Sequence, residues 1–243
     1  MNIAVLTIFP EIIADFCRQS LLGKALKRGL WRLNVVNIRD YSNDRHKKTD
    51  GAPCGDGQGL IMRPDVLGKA IENNCGKNTK MVYLTPRGKK IDQKIIRRLL
   101  KSSDDLMLIC GRYEGIDERI LEEYPIEELS VGDFVAMGGE LPALLLIEGL
   151  VRCAGGVIGN DRSLEEDSFG GNGKNDFNYL LEYPLYTKPI VWKGRSIPSV
   201  LLSGNHGEIK KWKLSQAEEI TKTRRKDIWA KYNRRKRANE RKN

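Results

Sequence analysis

Three short segments rich in glycine and polar residues each follow an apolar run in this 243-residue chain. They are Leu84-Thr85-Pro86-Arg87-Gly88, Cys110-Gly111-Arg112-Tyr113-Glu114-Gly115, and Ser130-Val131-Gly132-Asp133-Phe134 running on to Gly138-Gly139-Glu140. Parallel sheets bind ligands outside the carboxyl ends of their strands. Glycine there lets backbone N–H and C=O groups approach a flat molecule where a Cβ would clash. The three together point to a small-molecule site, against the plainer reading of three tight strand-to-helix turns. None matches G-x-G-x-x-G, and no G-x-x-x-x-G-K-[ST] occurs, so neither a dinucleotide fingerprint nor a phosphate-cradling loop is supported. A fourth segment, residues 50–59, holds Gly51, Gly55, Gly57 and Gly59. It reads either as a mobile turn or as a loop that receives a substrate.

The elements that must carry these segments alternate. Residues 1–9 read as a buried strand, followed by Pro10 at a turn and one amphipathic helix over 11–28. A second strand covers 31–38, and Pro64 opens a helix over 63–73. Short apolar strands at 80–84 and 106–110 flank a helix at 92–100, with one more strand at 134–137 and a buried helix at 141–150. This alternation predicts an α/β fold with a mostly parallel sheet covered on both faces. From 159 to 178 the composition turns to Gly, Asn, Asp, Ser and Glu, which marks a flexible connector. Beyond it, 183–200 is extended through Pro184, Pro189 and Pro198, and 207–232 is helical with Trp212, Leu214, Ile220 and Ile228 at its apolar positions. The expected division is a first domain over 1–158, a linker over 159–180 and a small helical domain over 181–243.

A chain 40% hydrophobic and 30% charged is globular rather than disordered or fibrous. Residues 1–10 lack the basic stretch, apolar run and cleavage site of a secretory signal. The most apolar segment, 141–151, contains Pro142 and Glu148 and is too short to span a bilayer. The expectation is a cytoplasmic protein with no membrane partner. Cys17, Cys54, Cys75, Cys110 and Cys153 are odd in number with no C-x-x-C, and His46 and His206 stand apart, which argues against a disulfide scaffold or a zinc site. The net charge of +10 is concentrated, since residues 222–243 hold eleven Lys or Arg against Asp227 and Glu240. Such a block attracts nucleic acid by counterion release, a solvated basic tail being the plainer alternative.

The run Cys110-Gly111-Arg112-Tyr113-Glu114-Gly115-Ile116-Asp117-Glu118-Arg119, with Ser130-Val131-Gly132-Asp133-Phe134 and Gly138-Gly139-Glu140-Leu141-Pro142, resembles the bacterial tRNA (guanine-N1)-methyltransferase family. The likeness extends from Phe9-Pro10-Glu11 through Asn37-Ile38-Arg39-Asp40 and the glycine loop to Glu165-Glu166-Asp167-Ser168-Phe169. It continues at Tyr186-Thr187-Lys188-Pro189 and at Ser203-Gly204 with Ile209-Lys210-Lys211-Trp212, and so covers nearly the whole chain.

The resemblance implies an α/β fold with a mostly parallel sheet and a deep trefoil knot of the SPOUT type, plus a small C-terminal helical domain that binds tRNA. It also implies a homodimer with a site shared between subunits. The implied reaction moves a methyl group from S-adenosylmethionine to N1 of the guanosine just 3′ of the anticodon, which maintains the reading frame. The three segments would hold S-adenosylmethionine through Leu84, Thr85, Pro86, Gly111, Tyr113, Glu114, Ser130, Val131, Gly132, Asp133, Phe134, Ala136, Gly138 and Gly139. Loop 50–59 would receive a guanine that has left its stack, with Asp50, Gly55, Gly57, Gly59 and Arg112 as contacts. Mg2+ dependence is implied too, with no metal position assigned.

N1 of guanine carries a proton at neutral pH and must lose it before attacking a sulfonium methyl, so a base is required. The resemblance gives that role to Asp167 in the connector, where ordering on RNA binding would strip water from the carboxylate. It gives the stabilisation of negative charge at O6 to Arg152. Taken without the resemblance, Asp167 is one acid in an acidic linker and Arg152 a solvated arginine at a helix end. The chain departs from the family pattern at Gly51, where a second acid is usual, at Cys54 for an aromatic residue and at Asp56 for a glycine. Ala154-Gly155-Gly156 lacks the usual proline, and 172–178 looks like an insertion. Trp212, Trp229 and Tyr232 read either as platforms for RNA bases or as core at helical spacing. A non-catalytic RNA-binding protein is the alternative class, disfavoured by the presence of both Arg152 and Asp167. A ribose 2′-OH methyltransferase is the nearest enzymatic alternative.

Overall fold

The computed structural model describes residues 1–55, 57–102, 105–159, 163–170 and 176–240. Asp56 and residues 172–175 of the apparent insertion lie outside them. The chain forms two compact units, Met1–Gly159 and Asn160–Asn243. Among the described residues no helix is long and apolar enough to cross a membrane.

The first unit begins with β1 (Asn2–Thr7), α1 (Pro10–Cys17), α2 (Ser20–Lys27) and β2 (Arg32–Asn37). A small antiparallel ladder of β3 (Asp50–Gly51) and β4 (Ile61–Met62) follows, then α3 (Pro64–Asn74), β5 (Lys80–Lys90) and α4 (Gln93–Ser102). The unit ends with β6 (Asp105–Cys110), α5 (Glu118–Glu123), β7 (Ile126–Ser130) and α6 (Glu140–Arg152). Five strands make one sheet in the order β2-β1-β6-β5-β7, every neighbouring pair parallel. The two-residue period of a strand sorts its side chains between two cores. Along β6, Leu108 and Cys110 join Ile13, Leu22, Ile96 and Ile147 from α1, α2, α4 and α6. Met107 and Ile109 join Leu67, Ile71 and Ile120 from α3 and α5 on the other face. Cover on both faces is what an almost unbroken apolar strand requires.

Several sequence expectations change. The single helix over 11–28 is two, because Ser20 takes a left-handed φ of 51° and starts a new direction. Gly23 sits so tightly against that reversal that a Cβ would lie 1.9 Å from the Arg18 carbonyl oxygen. The strand expected at 134–137 is irregular chain, with Phe134, Val135 and Met137 exposed. The fifth strand is β7, which the sequence disguises with Glu127 and Glu128. At the edge of the sheet both acids find partners, Glu127 with Arg98 at 2.5 Å and Glu128 with Arg87 at 3.3 Å.

The second unit contains α7 (Ser163–Glu166), the hairpin of β8 (Val191–Trp192) and β9 (Arg195–Ser196), α8 (Ser199–Leu202), α9 (His206–Arg224) and α10 (Lys226–Glu240). The helix expected over 207–232 is divided at Arg225, whose φ of −135° and ψ of 74° leave the helical region. Asn205 caps α9 by accepting from the Gly207 and Glu208 N–H groups at 3.1 and 3.2 Å. Phe177, Leu180, Tyr183, Ala217 and Tyr232 form a small core with Trp212 and Trp229 packed against it. The three aromatics weighed as stacking platforms are therefore core.

Candidate active site

β5, β6 and β7 are neighbours with one direction, so the chain leaving their carboxyl ends converges. It encloses a cavity of about 340 Å³, within the range of roughly 300–1,000 Å³ typical of small-molecule sites. Leu84, Thr85 and Pro86 line it from β5, and Gly111, Tyr113 and Glu114 from the turn after β6. Ser130, Val131, Gly132, Phe134, Ala136, Gly138 and Gly139 close it from the segment after β7. Asp133 is absent from this lining and pairs with Lys90 Nζ. Arg87, Gly115, Ile116, Val135 and Pro142 of the same segments also line the cavity, as do Tyr83 and Leu129, which sequence reasoning missed. Tyr83 hides among apolar strand residues, but glycine at 111 is the signal for it. A Cβ on Gly111 would lie 2.8 Å from the tyrosine ring and its hydroxyl. Burial pushes the Tyr83 hydroxyl pKa up from its ordinary value.

The first wall segment is an interruption within β5 rather than a turn at its end. Leu84 and Lys89 both take Leu129 as register partner, so residues 85–88 leave the ladder. Gly88 permits this, since a Cβ there would lie 2.4 Å from the Leu129 nitrogen. After β6 the chain turns through left-handed φ values at Tyr113 (59°) and Gly115 (131°).

Behind the wall, one buried carboxylate joins three segments. Glu140 is 1% exposed. It accepts from Thr7 Oγ1 at the end of β1 (2.6 Å) and from Arg112 Nε in the turn after β6 (2.8 Å). Arg112 also donates to the Met137 carbonyl at 3.4 Å and lies over the Phe9 ring at 4.4 Å. The Gly139 N–H donates to the Gly111 carbonyl at 2.8 Å. Buried charges persist only when paired. The Arg112 guanidinium, expected among the guanine contacts, also holds this wall.

Loop 50–59 is fastened to the same turn. The Met62 N–H donates to the Gly115 carbonyl (2.9 Å) and the Glu114 N–H to the Leu60 carbonyl (3.0 Å). Asp50 faces Met62 across the β3–β4 ladder. Gly59, at φ 88°, leans on Glu114, whose Cγ would be 2.6 Å from an added Cβ. Gly57 touches only the Pro53 side chain, and Gly55, at φ 86°, faces open space. The exit of the loop is therefore fixed beside the cavity, while Gly55 has open space around it.

Residues 1–231 match the family model described as tRNA (Guanine-1)-methyltransferase TrmD. The chain belongs to this family. Three relatives, each named tRNA (guanine-N(1)-)-methyltransferase, match almost end to end. That of Ruegeria sp. (strain TM1040) is 47% identical over 235 residues, covering 96% of this chain and 93% of its own length. That of Rickettsia akari (strain Hartford) is 46% identical over 230 residues, with coverages of 94% and 97%. That of Pelagibacter ubique (strain HTCC1062) is 44% identical over 228 residues, with coverages of 94% and 96%.

For a member of the tRNA (guanine-1)-methyltransferase family, the positions of Arg152 and Asp167 matter next. Arg152 ends α6 and is exposed, as are Leu141, Leu145 and Glu148. Their spacing of four, seven and eleven residues from Leu141 puts all four on one helical face. Asp167 follows α7 in the second unit and is half-buried, with its carbonyl accepting from the Gly170 N–H at 2.8 Å. Its neighbour Glu166 accepts from the Tyr183 hydroxyl (2.5 Å) and from Lys213 Nζ on α9 (2.7 Å). Burial pushes the Glu166 carboxyl up, but these two donors outweigh it and hold the carboxyl below its ordinary range. The chain beside Asp167 is thereby tied to α9.

Proposed function

We propose that this chain transfers a methyl group from S-adenosylmethionine to N1 of the guanosine just 3′ of the anticodon in tRNA. The cavity bounded by the interruption of β5 and the segments after β6 and β7 carries the reading, because it gathers three glycine-bearing segments round a volume suited to one nucleoside-sized molecule. Its wall is polar as well as apolar, and Glu114 supplies a carboxylate where a cationic ligand binds favourably. S-adenosylmethionine supplies an electrophilic methyl group on a sulfonium. Backbone at Gly111, Gly138 and Gly139 would cradle it, with Tyr113 and Phe134 excluding water.

Loop 50–59 receives the flipped guanine next to the cavity, since Leu60 and Glu114 share a backbone hydrogen bond. Asp167 accepts the N1 proton, which frees the N1 electron pair to bond to the methyl carbon; the carbon–sulfur bond of the donor would break and its electrons leave on a neutral thioether. Arg152 balances the negative charge that deprotonation places on O6. Arg112 contacts the guanine in this reading and also holds the wall with Glu140. Mg2+ dependence belongs to this reading with no ligand position assigned, and Asp167 is the group that takes the proton.

The reading takes residues 1–158 as a SPOUT-type knotted catalytic domain, 159–180 as the linker carrying the base and 181–243 as the tRNA-binding domain. Exposed Lys231, Arg234 and Arg237 on α10 support the RNA side. A homodimer accounts for an uncovered apolar face. Ile12 and Phe16 on α1, and Leu141 and Leu145 on the adjoining α6, are all exposed, and patches of this kind mark interaction sites. Arg152 shares that face of α6, so pairing brings a catalytic residue to the interface. Its compartment in this reading is the cytoplasm, where tRNA is found.

The test is methyl transfer from labelled S-adenosylmethionine to unmodified tRNA, with the modified atom mapped and Asp167→Ala run beside wild type. Label at guanine N1, lost in the variant, is the expected result. No transfer by folded, donor-binding wild type would sink the enzyme reading, and label on a ribose would overturn the acceptor atom.

A further inference from the structure

The sequence Ile190-Val191-Trp192-Lys193-Gly194-Arg195-Ser196 forms a feature that neither core nor cavity uses. β8 and β9 are two residues each, with Trp192 opposite Arg195, and the Ile197 N–H donates to the Ile190 carbonyl at 3.0 Å. Lys193 and Gly194 join them with φ of 50° and 76°, the pair of positive values that a tight type I′ turn needs. An isolated hairpin this short is marginal in water. Every residue from 185 to 196 is exposed, and Trp192 is 60% exposed. The indole therefore has no structural duty within its own unit, unlike Trp212 and Trp229 in the small core.

Charge identifies what it meets. From Tyr183 to Gly207 there is no Asp or Glu, while Lys188, Lys193 and Arg195 all lie in the exposed stretch. Lys193 Nζ lies 5.0 Å from the centre of the Trp192 ring, and Arg195 is the cross-strand neighbour of Trp192. An exposed aromatic plane flanked by cations with no acid nearby is the combination that stacks on an unpaired base while its neighbours hold phosphates. We propose that the β8–β9 hairpin is a tRNA-docking finger, with Trp192 stacking on an unpaired base and Lys193 and Arg195 on the adjoining backbone. This rests on the tRNA reading above and adds a recognition element to it.

The test uses the full chain and unmodified tRNA, comparing wild type, Trp192→Ala, Trp192→Phe and the double variant Lys193→Ala/Arg195→Ala. Trp192→Ala should weaken tRNA binding about ten-fold, and Trp192→Phe should retain most of it. The double variant should reduce the slope of log affinity against log salt by about one to two. The fluorescence difference between wild type and Trp192→Phe should quench on adding tRNA. Affinity of Trp192→Ala within two-fold of wild type overturns the finger. So does a Trp192→Ala variant whose only change is a lost dimer in sedimentation, which would make the hairpin a contact with a second copy. Wild type that binds no tRNA at all overturns the underlying reading, a result distinct from either.

Discussion

At Gly88 and Gly139 in the cavity walls, glycine stands where another stretch of backbone leaves no room; at Gly55 in loop 50–59 it stands where the chain turns through open space. A Cβ on Gly88 or Gly139 would strike backbone at 2.4 and 2.7 Å, whereas Gly55 meets nothing within 4 Å. One region is closed by its own neighbours, with Glu140 bolting three segments together. The other is fastened at both ends, by the β3–β4 ladder at Asp50 and Gly51 and by the Glu114 N–H donating to the Leu60 carbonyl, and is open at Gly55 between them. On the proposed reading, the donor site is closed by contacts within the fold, whereas the acceptor loop keeps open space at Gly55.

The largest effect tests the acceptor side. Asp167→Asn should lower methyl transfer by about 10²–10⁴ and leave donor affinity, measured by calorimetry, unchanged; a parallel loss of donor binding would break the separation. Next, Glu140→Ala strands a mostly buried Arg112 and should cost about 3–5 kcal/mol of stability, read from urea unfolding. A loss below about 1 kcal/mol would mean the wall is not held this way. Two glycines then set the regions against each other. Gly139→Ala has to push the Cys110 backbone, costing about 1–3 kcal/mol, and should weaken donor binding ten-fold or more. Gly55→Ala has space but a left-handed φ, with about 1–2 kcal/mol of strain, and should raise only the KM for tRNA. Equal effects on donor binding would erase the contrast.

The smallest effect is on pH. The Glu166 carboxyl is held below its ordinary value of 4.5 in the fold, so its contribution is complete above that pH and is lost as pH falls through the depressed value. Being partly exposed, it should contribute no more than about 1 kcal/mol. Unfolding of the second unit, followed by Trp212 and Trp229 fluorescence, should shift in that acid window for wild type and not for Glu166→Gln.

The alternating strands and helices, the two-faced sheet and the three wall segments were legible because their signals are local: apolar runs ending in glycine. What escaped depends on distant partners. β7 carries Glu127 and Glu128, and only Arg98, Lys80 and Arg87 from other elements make a strand of it. The apolar content of 134–137 suggested a strand, but those side chains border the cavity or face solvent. Tyr83 is both a core residue and a wall of the cavity, and the second role was hidden because its closeness to Gly111 is tertiary. The ion pair of Arg112 was hidden, since nothing in its neighbours announces Glu140, twenty-eight residues away. The break after Cys17 was hidden because Ser20 and Gly23 disturb the amphipathic pattern too little to show in a helical period.

β6 occupies the middle of the sheet between β1 and β5, although it is made after both. On a ribosome adding roughly 5–20 residues per second, β5 emerges with neither of its neighbours in existence and waits about one to a few seconds for β6. During that interval β1 and β2 can pair, but the centre of the sheet is a gap bordered by apolar edges, the kind of surface on which nascent chains aggregate or chaperones settle. The cavity needs the segment through Gly139, so more than half the chain must be synthesised before any ligand can stabilise the fold.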